Sequence, residues 1–304
     1  MKNERPDGSA ENWNGVVRFL VFYLGILLLA AILTPIMFFS VKYCAERFSV
    51  EIFHHFIGKG FGKFFDRAKL ISAIILLFPL VKISGIRSAK DIWLEKFSKR
   101  QFFLIFASGF IFTHLVYGWL MCANHFSAEA VPVKIYFSNL GKFAVAATGV
   151  GFLEELLFRG VIFRLFSESL GRISAIVLAS LFFAYCHGGV GESAKINTDS
   201  ATIFSGFSCI IPSLLSICRN FNLLSFLNLT MFGIFLSVLL VDLKSIFAPI
   251  AFHIGVVFAV MNVRSFIKIA AIGVLDTRLT FVLIGTLIIF ISWRIKTHST
   301  RAMM

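Results

Sequence analysis

Runs of about 20 apolar residues recur along the chain and constrain its fold more than any other feature. A helix needs roughly 17 to 25 such residues to cross the hydrocarbon core of a bilayer. The 304 residues are 58% hydrophobic and 15% charged, which is outside the range of soluble globular domains. Since every backbone polar group must be bonded internally in lipid, these runs predict helices. We therefore expect an all-α fold, a polytopic bundle of transmembrane helices.

The apolar runs predict about eight membrane spans, with seven or nine as alternatives. Six of them are long, at residues 17–41, 102–122, 143–166, 222–242, 245–262 and 279–294. Two shorter runs complete the count, Leu70–Ile83 with Pro79 inside it and Ile173–His187. A weaker apolar stretch, Ile203–Cys218, is interrupted by glycine and proline and predicts a half-buried loop helix.

The spans divide the chain into four stretches. We expect a polar tail at 1–15, N-terminal transmembrane helices and basic loops at 16–139, a core at 140–265 with an inserted loop near 188–221, and a last transmembrane helix with a basic tail at 266–304.

The net charge of +13 does not indicate a nucleic-acid partner. Lysines and arginines stand at the ends of the apolar runs, where they meet lipid head groups. We therefore expect membrane lipids as partners and no nucleic acid. The basic residues divide almost evenly between the two sides of the predicted bundle, so they do not decide its orientation.

Three charged residues, Glu154, Glu155 and Arg159, interrupt the predicted span 143–166. An ionised side chain at the centre of a bilayer costs at least roughly 3 kcal/mol, so such residues are rare and mark functional sites. Side chains four apart share a helix face, whereas neighbours differ by about 100°. Glu155 is therefore predicted to pair with Arg159, and Glu154 to point elsewhere.

Two histidines lie in other apolar runs, His187 one turn after Phe183, and His253 within the span 245–262. A carboxylate can take a proton from water while imidazoles orient the water or oxyanion, or hold a metal that activates it. Each residue alone could instead link helices structurally. Together they favour chemistry, and we predict that Glu154 and both rings converge in one cavity, roughly 3 to 6 Å apart.

The order and types of these residues resemble the CPBP intramembrane proteases. That group is also called the Abi family and includes the type II CAAX prenyl endopeptidases. The resemblance covers roughly residues 140–265 and rests on three motifs, Glu154-Glu155-x-x-x-Arg159, Phe183-x-x-x-His187 and His253.

The resemblance implies an intramembrane endopeptidase, multi-pass in a prokaryotic cell membrane, that cleaves a hydrophobic or lipidated peptide or protein. It implies that Glu154 is the general base and that His187 and His253 position the water or stabilise the oxyanion. Glu155 with Arg159 would support the site. Glu154, His187 and His253 could also supply three ligands to a divalent metal such as zinc. A glutamate that serves as the base cannot comfortably be a ligand too, so the metal requirement stays open.

One departure and two alternatives accompany the resemblance. The family often has asparagine four residues after the last histidine, where this chain has Val257, and Asn262 lies nine residues on. The first alternative is a catalytically silent family member, a membrane scaffold or a bacteriocin-type immunity protein. A transporter or proton-coupled channel is the other, because intramembrane Glu and His also form proton relays.

Overall fold

The protein is helical through nearly all of its described length, and the predicted all-α class is confirmed. The structure is a computed structural model that describes residues 14–48, 50–84, 86, 97–122, 126–128, 133–188, 196, 198–215, 222–265 and 267–269. The helices are α1 Asn14–Phe48, α2 Glu51–Gly58, α3 Phe61–Ile83, α4 Lys99–Cys122, α5 Val133–Glu155, α6 Phe163–Leu170, α7 Arg172–Gly188, α8 Ser205–Ser208, α9 Ile210–Leu214, α10 Leu223–Leu243 and α11 Phe247–Arg264.

One π-helical turn and two short strands complete the described fold. A π-helical turn, Leu156–Ile162, joins α5 to α6 without a break. Two three-residue strands, β1 Phe126–Ala128 and β2 Ile267–Ile269, pair antiparallel. The strands follow α4 and α11 in the chain, so their pairing brings the C-terminal ends of those two helices together.

Four helices within the described residues are long and apolar enough to cross a membrane: α1, Lys99–Trp119 of α4, α10 and α11. They correspond to four of the six long predicted spans. The predicted span 143–166 lies in the continuous segment from α5 to α6, and the span 279–294 lies outside the described residues. The total of eight therefore stays a prediction.

The shorter predicted runs also form helices. Leu70–Ile83 is the second half of the 23-residue helix α3, which continues through Pro79. The run at 173–187 forms α7, and the weak stretch at 203–218 contains the two short helices α8 and α9.

The described elements pack as two compact units that interleave along the chain. The N-terminal unit holds α1 to α3, residues 168–170 and the described residues from 185 to 215, and the core unit holds α4, α5, the π turn, most of α6 and α7, α10, α11 and both strands. Each unit therefore combines segments that are distant in the sequence, whereas the sequence suggested contiguous stretches.

Aromatic side chains and one close backbone contact organise the N-terminal unit. The ring of Phe38 on α1 meets Phe61 and Phe64 of α3 edge-on, at centroid distances of 5.1 and 5.4 Å. Gly206 of α8 lies so close to α1 that an added Cβ would collide with the backbone of Ala31. The predicted inserted loop therefore contributes to this unit, packed on α1.

Glycines bring α4 and α11 together in the core unit. A Cβ at Gly109 would stand 2.5 Å from the carbonyl oxygen of Phe252, and a Cβ at Gly255 would collide with the carbonyl oxygen of Phe106. Small residues permit such close backbone approach between membrane helices. The α11 segment that contains His253 is consequently held against α4 on both sides of the histidine.

Candidate active site

A buried ion pair joins the end of α5 to the π turn. Arg159 Nη1 donates to Glu155 Oε1 at 3.0 Å, and the two side chains are 1% and 0% exposed. Arg159 Nη2 also donates to the carbonyl oxygen of Gly233 on α10 at 3.1 Å. The predicted pairing of Glu155 with Arg159 is confirmed, and the arginine additionally ties this helix to α10.

The π turn begins directly after Glu155 and contains Arg159. Hydrogen bonds in a π-helix run from i to i+5, and such turns inside α-helices are frequent at functional sites. The sequence motif therefore coincides with a local change of helix geometry, which the 3.6-residue period alone does not predict.

His253 is oriented by Glu155. Its Nδ1 lies 2.7 Å from Glu155 Oε1, in a buried contact between α11 and the end of α5. A carboxylate paired with arginine only accepts hydrogen bonds, so Nδ1 carries the proton and donates it. Nε2, the other ring nitrogen, then faces Glu154.

Glu154 and His253 stand at a separation that suits a single bridging atom. Glu154 Oε2 lies 3.9 Å from His253 Nε2, and the Glu154 side chain keeps 24% exposure. This distance is longer than a direct hydrogen bond. One water oxygen, however, can contact both groups through hydrogen bonds of about 2.8 Å. The Glu154–His253 part of the predicted convergence agrees with the structure.

Two phenylalanine rings hold the His253 imidazole edge-on. Phe183 of α7 and Phe232 of α10 have ring centroids 6.1 and 5.3 Å from it, at interplanar angles of 72° and 81°. The face of Phe183 also receives the guanidinium of Arg159, 4.7 Å from the centroid, a cation–π contact. The role of Phe232 was missed from the sequence, because one phenylalanine among 38 carries no distinguishing signal.

Gly233 serves the site through its backbone. Its carbonyl oxygen accepts hydrogen bonds from Arg159 and from Ser237 Oγ. A Cβ at this position would lie 2.9 Å from the Cβ of Ser180 on α7. Only glycine lets α7 and α10 approach this closely, and the approach brings Phe183 and Phe232 to the same imidazole.

The buried pair is incompletely satisfied. Glu155 Oε2 and Arg159 Nε have no hydrogen-bond partner within the part of the chain that the structure describes. Buried ion pairs with unmet polar atoms are often less stable than apolar packing of the same volume. Stability alone therefore does not account for these residues, whereas orientation of His253 does.

Comparison with known families supports this interpretation. Residues 136–259 match the family model described as type II CAAX prenyl endopeptidase Rce1-like, and this segment contains both glutamates, Arg159 and both histidines. The chain carries a domain of the CPBP/CAAX protease family. No curated protein and no solved structure matched the chain. Together with the four apolar helices, this match supports a membrane protein.

The other histidine of the three motifs, His187, lies at the end of α7. His187 is half-buried, one turn after Phe183. Phe183 belongs to the core unit, whereas residues from 185 onward group with the N-terminal unit. The proximity of His187 to Glu154 stays a prediction.

The usual asparagine position of the CPBP/CAAX domain is occupied by Val257, which is half-buried on α11 one turn after His253. Asn262 is buried on the same continuous helix. Asn262 lies nine residues after His253, a rise of about 13.5 Å along the helix, whereas position 257 is about 6 Å away. Asn262 therefore cannot replace a donor at position 257.

A metal ion would find two ligands in the core unit, Nε2 of His253 and the Glu154 carboxylate, because Glu155 Oε1 and His253 Nδ1 already bond each other. Catalytic zinc sites use three protein ligands and an open position. Among the described residues no group of three or more His, Cys, Asp or Glu side chains is arranged for a metal. These two donors alone do not make such a site, and His187 stays the candidate third ligand that the resemblance implies.

Proposed function

We propose that this protein is a multi-pass intramembrane endopeptidase of a prokaryotic membrane, in which Glu154 activates water to hydrolyse a peptide bond. The observation that carries the proposal is the orientation of His253. Glu155 holds Nδ1 at 2.7 Å, which turns Nε2 towards Glu154 Oε2 at 3.9 Å.

The chemistry follows from these positions. A water between Glu154 and His253 gives a proton to the Glu154 carboxylate while its oxygen forms a bond to the peptide carbonyl carbon. The carbon–nitrogen bond then breaks, and the proton passes from Glu154 to the leaving amine. His253 accepts a hydrogen bond from the water through Nε2, or donates one to the oxyanion when that nitrogen is protonated. From the family resemblance, His187 is proposed as a second side chain that positions the water or stabilises the oxyanion.

Glu155 and Arg159 act through His253 in this proposal. Arg159 donates to Glu155 Oε1, and the same oxygen accepts the hydrogen bond from His253 Nδ1 that fixes the orientation of the ring. They are positioning residues, since neither occupies the space between Glu154 and Nε2.

The proposed substrate is a hydrophobic, membrane-anchored or lipidated peptide or protein. The helices that carry His253 and Gly233 are apolar enough to lie in a membrane, so a substrate reaches the site from the lipid phase. The family match to CAAX-type endopeptidases favours a lipidated C-terminal segment.

The test replaces the base with an isosteric amide. Purified Glu154→Gln and unchanged protein are incubated in micelles with a membrane proteome, and new peptide ends are mapped by mass spectrometry. Cleavage should fall by roughly 10² to 10⁴, as expected for loss of a general base, with the melting temperature nearly unchanged.

Glu168→Gln is the matched control, because Glu168 is an exposed glutamate of α6, and it should cleave normally. If Glu154→Gln yields the same new peptide ends at the same rate as the unchanged protein, Glu154 is not the base. A protein that yields no new ends in either form would be a silent scaffold or immunity protein.

A further inference from the structure

We propose that an anionic glycerophospholipid binds in a groove of the core unit between α4, α5 and α11, with one acyl chain inside and its phosphate at Lys99 and Arg100. The groove has a volume of about 270 Å³, which suits a segment of one chain. This site is separate from the Glu154–His253 pair and does not depend on the proposed protease activity.

The groove walls are almost entirely apolar. Phenylalanines 102, 103 and 106 of α4 form one wall, and Ile254 with Phe258 of α11 forms another. The third wall, on α5, is low because Ala144 and Thr148 have short side chains. Among the described residues that line the groove, Thr148 alone carries a side-chain hydroxyl. A hydrocarbon chain is the occupant that this lining and a membrane location favour.

The opening faces outward from the helices. Phe103 is 66% exposed, and Ala144 and Thr148 are also exposed. Since α4 and α11 are both apolar enough to span a membrane, this open side meets lipid. A lipid chain can therefore enter sideways without any rearrangement of the helices.

Positive charge stands at one end of the groove. Lys99, Phe102, Phe103 and Phe106 are spaced by three, four and seven residues, so they share one face of α4. Arg100 is the next residue, and both basic side chains are exposed. Among the described residues 97–106 there is no acidic side chain. A phosphate at this end of the groove would thus meet the positive charge of Lys99 and Arg100.

The start of α4 is fixed by reciprocal capping. Ser98 Oγ accepts from the Gln101 backbone N–H, and Gln101 Oε1 accepts from the Ser98 backbone N–H, both at 3.1 Å. This capping box defines the first turn. Lys99 and Arg100 lie inside it, so their positions relative to the phenylalanine wall are set by the helix.

Native mass spectrometry of the full chain in micelles tests the proposal, with phosphatidylglycerol and phosphatidylcholine of identical acyl chains as probes. The unchanged protein should retain phosphatidylglycerol at least tenfold more tightly. The double variant Lys99→Gln with Arg100→Gln should lose most of that preference, at roughly fivefold per removed charge. Lys134→Gln with Lys142→Gln removes two exposed charges from α5 and should keep it.

The groove itself is tested by filling it. Ala144→Trp should weaken binding of both lipids, whereas Ala146→Trp, at an exposed α5 position outside the lining, should not. If Ala144→Trp fails to fold, the decision rests on the two charge variants, which change exposed side chains only. Equal binding of the two lipids to the unchanged protein would overturn the proposal, as would displacement of phosphatidylglycerol by excess inorganic phosphate, which would indicate a free-anion site.

Discussion

At the scale of single residues, Glu155 is the centre of the site. One of its oxygens, Oε1, accepts from both Arg159 and His253. The adjacent Glu154 meets the opposite side of the same imidazole. Two neighbouring carboxylates thus have different tasks, because a rotation of about 100° per residue points one at the buried arginine and the other towards the more accessible space.

Removal of the arginine should destabilise the protein. Arg159→Leu leaves Glu155 as a buried charge without its cation, which costs about 3 to 5 kcal/mol. We expect a lower melting temperature in micelles together with lost cleavage. Adding Glu155→Gln to Arg159→Leu should restore part of the stability, because the stranded charge is gone. A double variant that unfolds as readily as Arg159→Leu would show that the loss came from packing.

The aromatic neighbours should affect rate more than substrate affinity. Phe232→Leu removes the ring edge from His253 while keeping an apolar side chain, and aromatic pairs contribute about 0.5 to 1.5 kcal/mol. We expect kcat to fall by up to about tenfold with KM unchanged. Phe235→Leu is the control, since Phe235 packs on Phe252 at 4.7 Å; an equal fall in kcat there would contradict a specific role for Phe232.

At the scale of elements, the position of His253 depends on how α11 meets its neighbours. Gly255 and Gly109 allow contact with α4, and a Cβ at Gly151 of α5 would lie 2.7 Å from Ile254 Cγ1. His253 lies between these contacts. A shift of α11 by a fraction of an ångström would change the 3.9 Å separation from Glu154.

Gly255→Ala should therefore lower both stability and activity. Its Cβ would collide with the Phe106 backbone carbonyl, and overpacking of this kind costs about 1 to 3 kcal/mol. Gly149→Ala is the matched control on α5, because no heavy atom lies within 4 Å of its added Cβ; it should be neutral or stabilising by up to about 1 kcal/mol. Thermal unfolding in the same micelles compares the stability of the two variants. Equal melting temperatures would contradict close α4–α11 packing.

At the scale of the whole molecule, α10 and α11 are expected to form a membrane hairpin. Their 21 and 18 residues give lengths of about 31 and 27 Å, close to the roughly 30 Å hydrocarbon thickness. Lys244 follows α10 in the left-handed region at φ 51°, and three residues connect the helices. We therefore expect the short connection to return the chain across the membrane.

Thiol accessibility tests this hairpin. In a background without the five native cysteines, single cysteines replace Asn222, Lys244 or Ser265, and oriented vesicles are treated with a membrane-impermeant thiol reagent. Positions 222 and 265 should react from one side and position 244 from the other. Reaction of all three from the same side would rule out two consecutive spans.

Local properties of the sequence predicted much of this protein. The lengths of the apolar runs predicted α4, α10 and α11 to within three residues and α1 to within seven, since burial in lipid depends on the composition of each run alone. The four-residue spacing predicted the Glu155–Arg159 pair, because both partners lie on one helix. The resemblance carried by three short motifs agreed with the family match at 136–259.

Tertiary structure alone decided the rest. The contact of His253 with Glu155 joins residues 98 positions apart, and that of Arg159 with the Gly233 carbonyl joins residues 74 apart. No periodicity encodes such separations, and the sequence assigned Glu155 to the arginine only. The same carboxylate oxygen also orients the histidine because helix packing at glycines and the π turn bring the helices to the required distance. No single run of sequence specifies a distance between helices to tenths of an ångström.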